Sequence, residues 1–204
     1  MSTQRIVAYV VRHGETALNA EGRFRGPTEV PLSDKGHEDA EEVRKLFKNI
    51  KLGDAYTSSR GRAEATAEHV LEPKGMAASP TDSLHAWNVG YLAGERKDEH
   101  KDDIAYYQRN PDEKIPGGES LNEFRERVKE PLLKAIHKGV VNSVPSIVFA
   151  HSSVIHELGN IVHHDHTTAL VKPGGVAAVL YDGKKFEARA IHRPMNKGDE
   201  AYAG

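Results

Sequence analysis

The chain has 204 residues, 38% hydrophobic and 28% charged, with 18 glycines and 10 prolines; this fits one globular domain with a substantial core and excludes collagenous, low-complexity and wholly disordered chains. Its 28 Lys and Arg against 30 Asp and Glu leave a formal charge of -2, so any affinity for anions must be local rather than global. A composition without cysteine excludes a disulfide framework, a thiol nucleophile and a thiolate metal site, and suits a reducing compartment.

Ile6 to Val11 is a continuous apolar, β-branched run, the pattern of a strand buried on both faces of a parallel sheet. It is too short for a signal-peptide core or a membrane span. No later run reaches the roughly 20 residues a span needs, so the expected location is the cytoplasm. Ser33 is placed to cap a helix over Asp34 to Asn49, with Ala40, Val43, Leu46 and Phe47 at helical spacing. Ala55 to Ser58 reads as a short strand, and Arg62 to Leu71 as a helix stopped by Pro73. The stretch from Ser79 is irregular, with a helix near Asp102 to Arg109, and reads as an inserted lobe over roughly 79–118. Ser120 and Glu123 stand at capping-box spacing ahead of the apolar stripe Leu121, Phe124 and Val128, and Pro131 is expected to kink or end that helix. Ser146 to Ala150 is a second buried strand, Val154 to Val162 a helix, and Val176 to Tyr181 with Phe186 to Ile191 a hairpin about Asp182-Gly183. This alternation predicts a single α/β domain over 1–204, a three-layer sandwich with a mostly parallel central sheet flanked by helices, plus the small lobe.

Two histidines, His13 and His151, directly follow buried strands. Ligands in open α/β sheets bind beyond the carboxyl ends of strands, so if these strands are neighbours the two imidazoles meet there. Arg12 adjoins His13, and Arg62 opens a helix at the same edge of the sheet. Two guanidiniums and two imidazoles around one point suit a dianionic phosphoryl group, because arginine supplies a fork of permanently charged donors.

Arg12-His13-Gly14-Glu15-Thr16 with Asn19 resembles the Arg-His-Gly signature of the histidine phosphatase superfamily, the phosphoglycerate mutase-like enzymes. The resemblance continues in order through Arg23-Phe-Arg25-Gly26, Pro31-Leu32-Ser33, Gly36, Ser58, Arg62-Ala63, Thr66-Ala67, Leu84, Gly90, Gly94, Pro116 to Ser120 and Ala150-His151-Ser152. It implies that His13 is the nucleophile that becomes phosphohistidine, while Arg12, Arg62 and His151 bind the phosphoryl oxygens. Asn19, Thr16, Arg25 and Ser152 are the accompanying substrate-binding candidates, Asn19 serving either as a phosphate contact or as a turn residue.

One departure matters. Where many members of the family carry a proton-donating glutamate two residues after the leucine matched by Leu84, this chain has Ala86, and two positions later stands Asn88 rather than aspartate. Glu119 is the candidate replacement acid, with a plain helix N-terminal charge as its other reading; Asp82 is a fainter one. Trp87 and Tyr91 either wall the substrate site or pack the lobe. Glu157 beside His156, and His163-His164-Asp165-His166, raise a metal site, but the chain has no His-Glu-x-x-His, so no metal is expected. The expected function is a cofactor-free phosphomonoesterase acting through phosphohistidine on a small-molecule phosphate ester, with neither nucleic acid nor membrane as partner. The alternatives are a phosphoglycerate mutase-type transferase, which the family represents by longer chains, and a phosphate-binding pseudoenzyme.

Overall fold

The computed structural model describes residues 4–164 and 171–192. Strands β1 (Arg5–Arg12), β2 (Ala55–Ser58), β3 (Ser79–Thr81), β4 (Ser146–Ala150), β5 (His163–His164), β6 (Val176–Tyr181) and β7 (Phe186–His192) form one sheet in the order β3-β2-β4-β1-β6-β7-β5. The first four are mutually parallel, whereas β6 runs antiparallel to β1 and makes the expected hairpin with β7. The helices are α1 (Ala17–Ala20), α2 (Asp34–Phe47), α3 (Gly61–Leu71), α4 (Lys101–Arg109), α5 (Leu121–Asn142) and α6 (Ser152–Ile161).

The two faces of the sheet carry two cores, which is why its central strands are apolar from Ile6 to Val11 and from Ile147 to Ala150. Ala8, Val10, Val148 and Ala150 face α5 and α6, which supply Phe124, Val128, Leu132, Ile155 and Leu158. Tyr9, Val11, Ile147 and Phe149 face α2 and α3, which supply Val43, Phe47, Ala67 and Leu71. Among the described residues no helix is long and apolar enough to cross a membrane.

Two expectations need correction. Ser79–Thr81, assigned to the lobe, is the edge strand of the main sheet, paired in parallel with β2; an edge position tolerates Pro80, which has no N–H to donate. The rest of that segment is fastened to the domain, for Trp87, Leu92 and Ile115 join the core under α5. Pro131 does not end α5, which continues to Asn142: Phe124 and Val128 before it and Leu132, Ala135 and Ile136 after it are buried, and this packing outweighs one missing helical hydrogen bond. The histidine cluster is only partly visible. His163 and His164 form β5, while Asp165 and His166 lie outside the described residues.

Backbone contact fixes α2 against the loop after β1. A Cβ at Gly36 would overlap the Glu15 carbonyl, and one at Gly14 would overlap the Gly36 carbonyl. Gly36→Ala is therefore expected to destabilise the fold by about 1–3 kcal/mol, as overpacking of a close contact does. Thermal denaturation checks this, and an unchanged midpoint would mean that loop and helix part freely.

Candidate active site

β1 and β4 pair in register up to Arg12 opposite Ala150, and the His13 N–H donates to the Ala150 carbonyl at 3.0 Å. The sheet thus delivers His13 and His151 side by side, with ring centroids 5.2 Å apart and both side chains buried. Ser58, at the end of β2 on the far side of β4, holds His151 Nε2 through its Oγ at 2.8 Å. Sequence reasoning gave Ser58 no role; its place at the end of a strand next to β4 was the available signal.

Two contacts settle the tautomer of His13. Nδ1 lies 2.6 Å from the Gly14 carbonyl oxygen, which only accepts, and Nε2 lies 2.6 Å from Arg25 Nη1, which only donates. Hence Nδ1 carries the proton and Nε2 the lone pair. The Gly14 end is fixed in turn, since its N–H donates to Thr66 Oγ1 at 3.1 Å and that hydroxyl donates to the Arg62 carbonyl at 2.8 Å.

Arg12, Arg25 and Arg62 converge here. Arg62 is buried and donates to the Thr28 carbonyl at 3.0 Å, and Arg12 donates to the Val171 carbonyl at 2.8 Å. Burial lowers the pKa of Arg12 and of Arg62 to about 10; burial, then Arg62 and Arg12, lowers that of Arg25 to about 9. Arg12 Nε, Arg62 Nε and His151 Nδ1 are buried without a hydrogen-bond partner among the described residues, an unusual concentration of unmet polar atoms at one place.

Lys97 is the cation that sequence reasoning missed, because it sits in a charged stretch that reads as a solvated face. Phe24 donates its N–H to the Glu95 carbonyl and the Lys97 N–H donates to the Gly22 carbonyl, so the two loops are zipped together. This puts Lys97 over the Phe24 ring and close enough to Arg12 and Arg25 that burial, then those two charges, lower its pKa.

Of the other candidates, Thr16 is buried and both its N–H and its Oγ1–H reach Asn19 Oδ1, at 3.2 and 3.1 Å, so Asn19 closes the local turn. Ser152 is exposed and lines a cavity of about 280 Å³ with His151, Arg25, Ala86 and Trp87. Glu119 has both carboxylate oxygens engaged: Arg127 Nη2 and the Asn88 N–H reach Oε1 at 2.6 and 2.9 Å, and Arg127 Nε reaches Oε2 at 3.2 Å. Arg127 also donates to the carbonyls of Ser83 and His85, so the pair braces the loop that carries Ala86. Asp82 accepts from Ser59 Oγ, and this contact, with His85 next, lowers its pKa, the setting of a carboxylate rather than of a donor. Trp87 is buried and Tyr91 exposed. Glu157 pairs with Arg125 and Asn160; among the described residues the only grouping with metal-ligand spacing is the surface set Glu95, Glu99 and His100.

Burial, then the proximity of Arg25, His151, Arg62 and Arg12, holds His13 well below 6.5; burial and then Arg62 lead for His151. Both are neutral in the folded protein at pH values where an unfolded chain already binds protons, so stability should fall as pH drops below about 6.5. Urea unfolding at about pH 7.5 and about pH 5.5 tests the sign, and equal stability at both would contradict it. The same neutrality leaves the Nε2 lone pair unprotonated.

Comparison with known proteins agrees with this geometry. Residues 8–192 match the model of the histidine phosphatase superfamily, branch 1. The chain is similar to a probable phosphoglycerate mutase GpmB of Cronobacter sakazakii, 34% identical over 125 residues, covering 59% of this chain and 58% of that one. It is also similar to the 2,3-bisphosphoglycerate-dependent phosphoglycerate mutase of Brucella ovis, 30% identical over 159 residues, covering 73% and 77%. The match thus spans less than two thirds of the length of the GpmB relative. Among solved structures, phosphoglycerate mutase from Bacillus anthracis superposes with a TM-score of 0.79 at 25% identity over 93% of both chains. Phosphoglycerate mutase from Thermus thermophilus does so with a TM-score of 0.69 at 28% identity over 95% of this chain and 99% of that one. The paired histidines at the ends of parallel strands and the family match over nearly the whole described chain lead to one assignment: the protein belongs to the histidine phosphatase superfamily, branch 1.

Proposed function

We propose that the protein is a phosphomonoesterase that carries the phosphoryl group of a small phosphate ester on His13 Nε2 and passes it to water. The observation that carries this reading is the nucleophilic nitrogen itself, with its lone pair fixed by the Gly14 carbonyl and placed among three guanidiniums. As the Nε2–P bond forms and the ester O–P bond breaks, Arg25 exchanges its contact with Nε2 for a phosphoryl oxygen, and Arg12, Arg62 and His151 take the others. The departing oxygen leaves as an anion and takes a proton from solvent; water then attacks phosphorus and gives up a proton to solvent or phosphate, the N–P bond breaks, inorganic phosphate leaves, and His13 returns neutral. Fixed positive charge of this kind is the main source of rate in phosphoryl transfer, and it needs no added metal here.

A mutase is the second reading. The names of the relatives favour it, and Lys97 supplies a further cation for a second anionic group on the substrate. Against it stands Ala86, since moving phosphate between two sugar-acid hydroxyls needs a proton delivered to an alkoxide. Incubation with 3-phosphoglycerate separates the two readings: a hydrolase releases inorganic phosphate, whereas a mutase yields the 2-phosphate isomer without release. Phosphate release from 4-nitrophenyl phosphate should also survive a chelator unchanged, and loss restored by a divalent ion would contradict the metal-free mechanism.

A further inference from the structure

The cavity beside His151 does not end at the reaction centre. Its 280 Å³ are walled by Phe24, Trp87, Val89 and Ile104, with Arg25 and Lys97 at the phosphoryl end. Behind Trp87 lies a second cavity of about 330 Å³, lined by Leu121, Phe124 and Glu157. The two share Trp87, Gln108, Ser153 and His156, so they adjoin along one crevice. Trp87 is held rigidly in it: the indole Nε1–H donates to the Glu119 carbonyl at 3.2 Å, and the backbone N–H to Ser153 Oγ at 3.1 Å.

The crevice changes character along its length, from cationic to aromatic to a far end that holds the Glu157–Arg125 ion pair. Glu157 is buried at the far end; its Oε2 accepts from Asn160 Nδ2 at 2.8 Å and from Arg125 Nε at 3.4 Å, while Oε1 has no donor among the described residues. Oε1, left free by protein donors on a residue that lines the crevice, can accept a hydrogen bond from a ligand. Contact of a ligand's aromatic ring with the Trp87 and Phe24 side of the crevice removes apolar surface from water.

We infer that the substrate is a phosphate monoester of an aromatic alcohol whose ring lies along Trp87 and whose far end offers a hydroxyl or amino group to Glu157. This rests on the phosphoryl-binding role of the His13 site. It also accounts for a crevice far larger than a three-carbon phosphorylated acid fills.

Calorimetric binding of non-hydrolysable phosphonates to the full-length protein tests this without leaving-group chemistry. 2-Phenylethylphosphonate should bind at least about 10-fold more tightly than ethylphosphonate. A para-aminomethyl group should add about 5-fold more, and a para-carboxymethyl group of similar size should weaken binding by about 5-fold. In Glu157→Gln the ratio between aminomethyl and unsubstituted compounds should fall to near unity. Equal affinity for the ethyl and phenylethyl compounds would overturn the inference. So would preference for the carboxymethyl compound, which would give the far end to Arg125, or an aminomethyl advantage kept in Glu157→Gln. The wild-type series decides the matter even if that variant does not fold. Treatment with 4-nitrophenyl phosphate and a search for acid-labile phosphate on His13 keeps the two readings apart. Graded phosphonate binding without label would sink only the phosphohistidine chemistry; label without ring preference would sink only the crevice.

Discussion

His13→Ala is expected to remove phosphoryl transfer by at least about 10⁴-fold, with no acid-labile phosphate left on the protein after exposure to substrate. The variant takes away the atom that bonds to phosphorus and leaves Arg12, Arg25 and Arg62 in place. Inorganic phosphate should therefore still bind, which distinguishes loss of the nucleophile from collapse of the site. His151→Ala should lose less, about 10²- to 10³-fold, because it removes one stabilising contact and leaves the nucleophile. Substantial turnover by His13→Ala would end the phosphohistidine mechanism.

The leaving group should dominate the rate of the wild-type protein. No carboxylic acid stands at Ala86 or Asn88, and Glu119 holds Arg127 and the Asn88 N–H with both its oxygens. Aryl phosphates, whose alcohols depart without a proton, should be cleaved about 10²- to 10⁴-fold faster than alkyl phosphates. The bracing role of Glu119 predicts that Glu119→Gln slows both classes alike, by loosening the loop from Asp82 to Asn88. A selective loss of about 10²-fold on alkyl phosphates, with aryl phosphates spared, would instead make Glu119 the proton donor.

The frame of the site was legible from sequence because it depends on local patterns. A β-branched run followed at once by histidine marks both His13 and His151, and parallel pairing at the strand ends then brings them together. Legibility failed where side chains are governed by contacts between distant loops. Lys97 lies among Glu95, Arg96, Asp98 and Glu99, and nothing local distinguishes it; its place near Arg12 and Arg25 comes from the loop carrying Phe24, far earlier in the chain, through the pairing of Phe24 with Glu95. Arg25 was read as a substrate contact, but its hydrogen bond to His13 Nε2, and with it the tautomer of the nucleophile, follows from that same loop pairing. Glu119 has a capping-box neighbour and a glycine-rich approach, both compatible with an acid or a brace; its ion pair with Arg127, further along α5, is legible from neither.

The central position of β1 has a consequence for how the protein comes to life. β1 is the first strand in the chain, yet its two neighbours in the sheet are the fourth and the sixth, β4 and β6. Contacts so remote in sequence close late and slow folding. A nascent chain that stops before β4 carries His13 but has neither the Ala150 carbonyl that anchors it nor His151 beside it. The two histidines therefore come together only after β4 has been made, and β1 is enclosed on both sides once β6 has joined it.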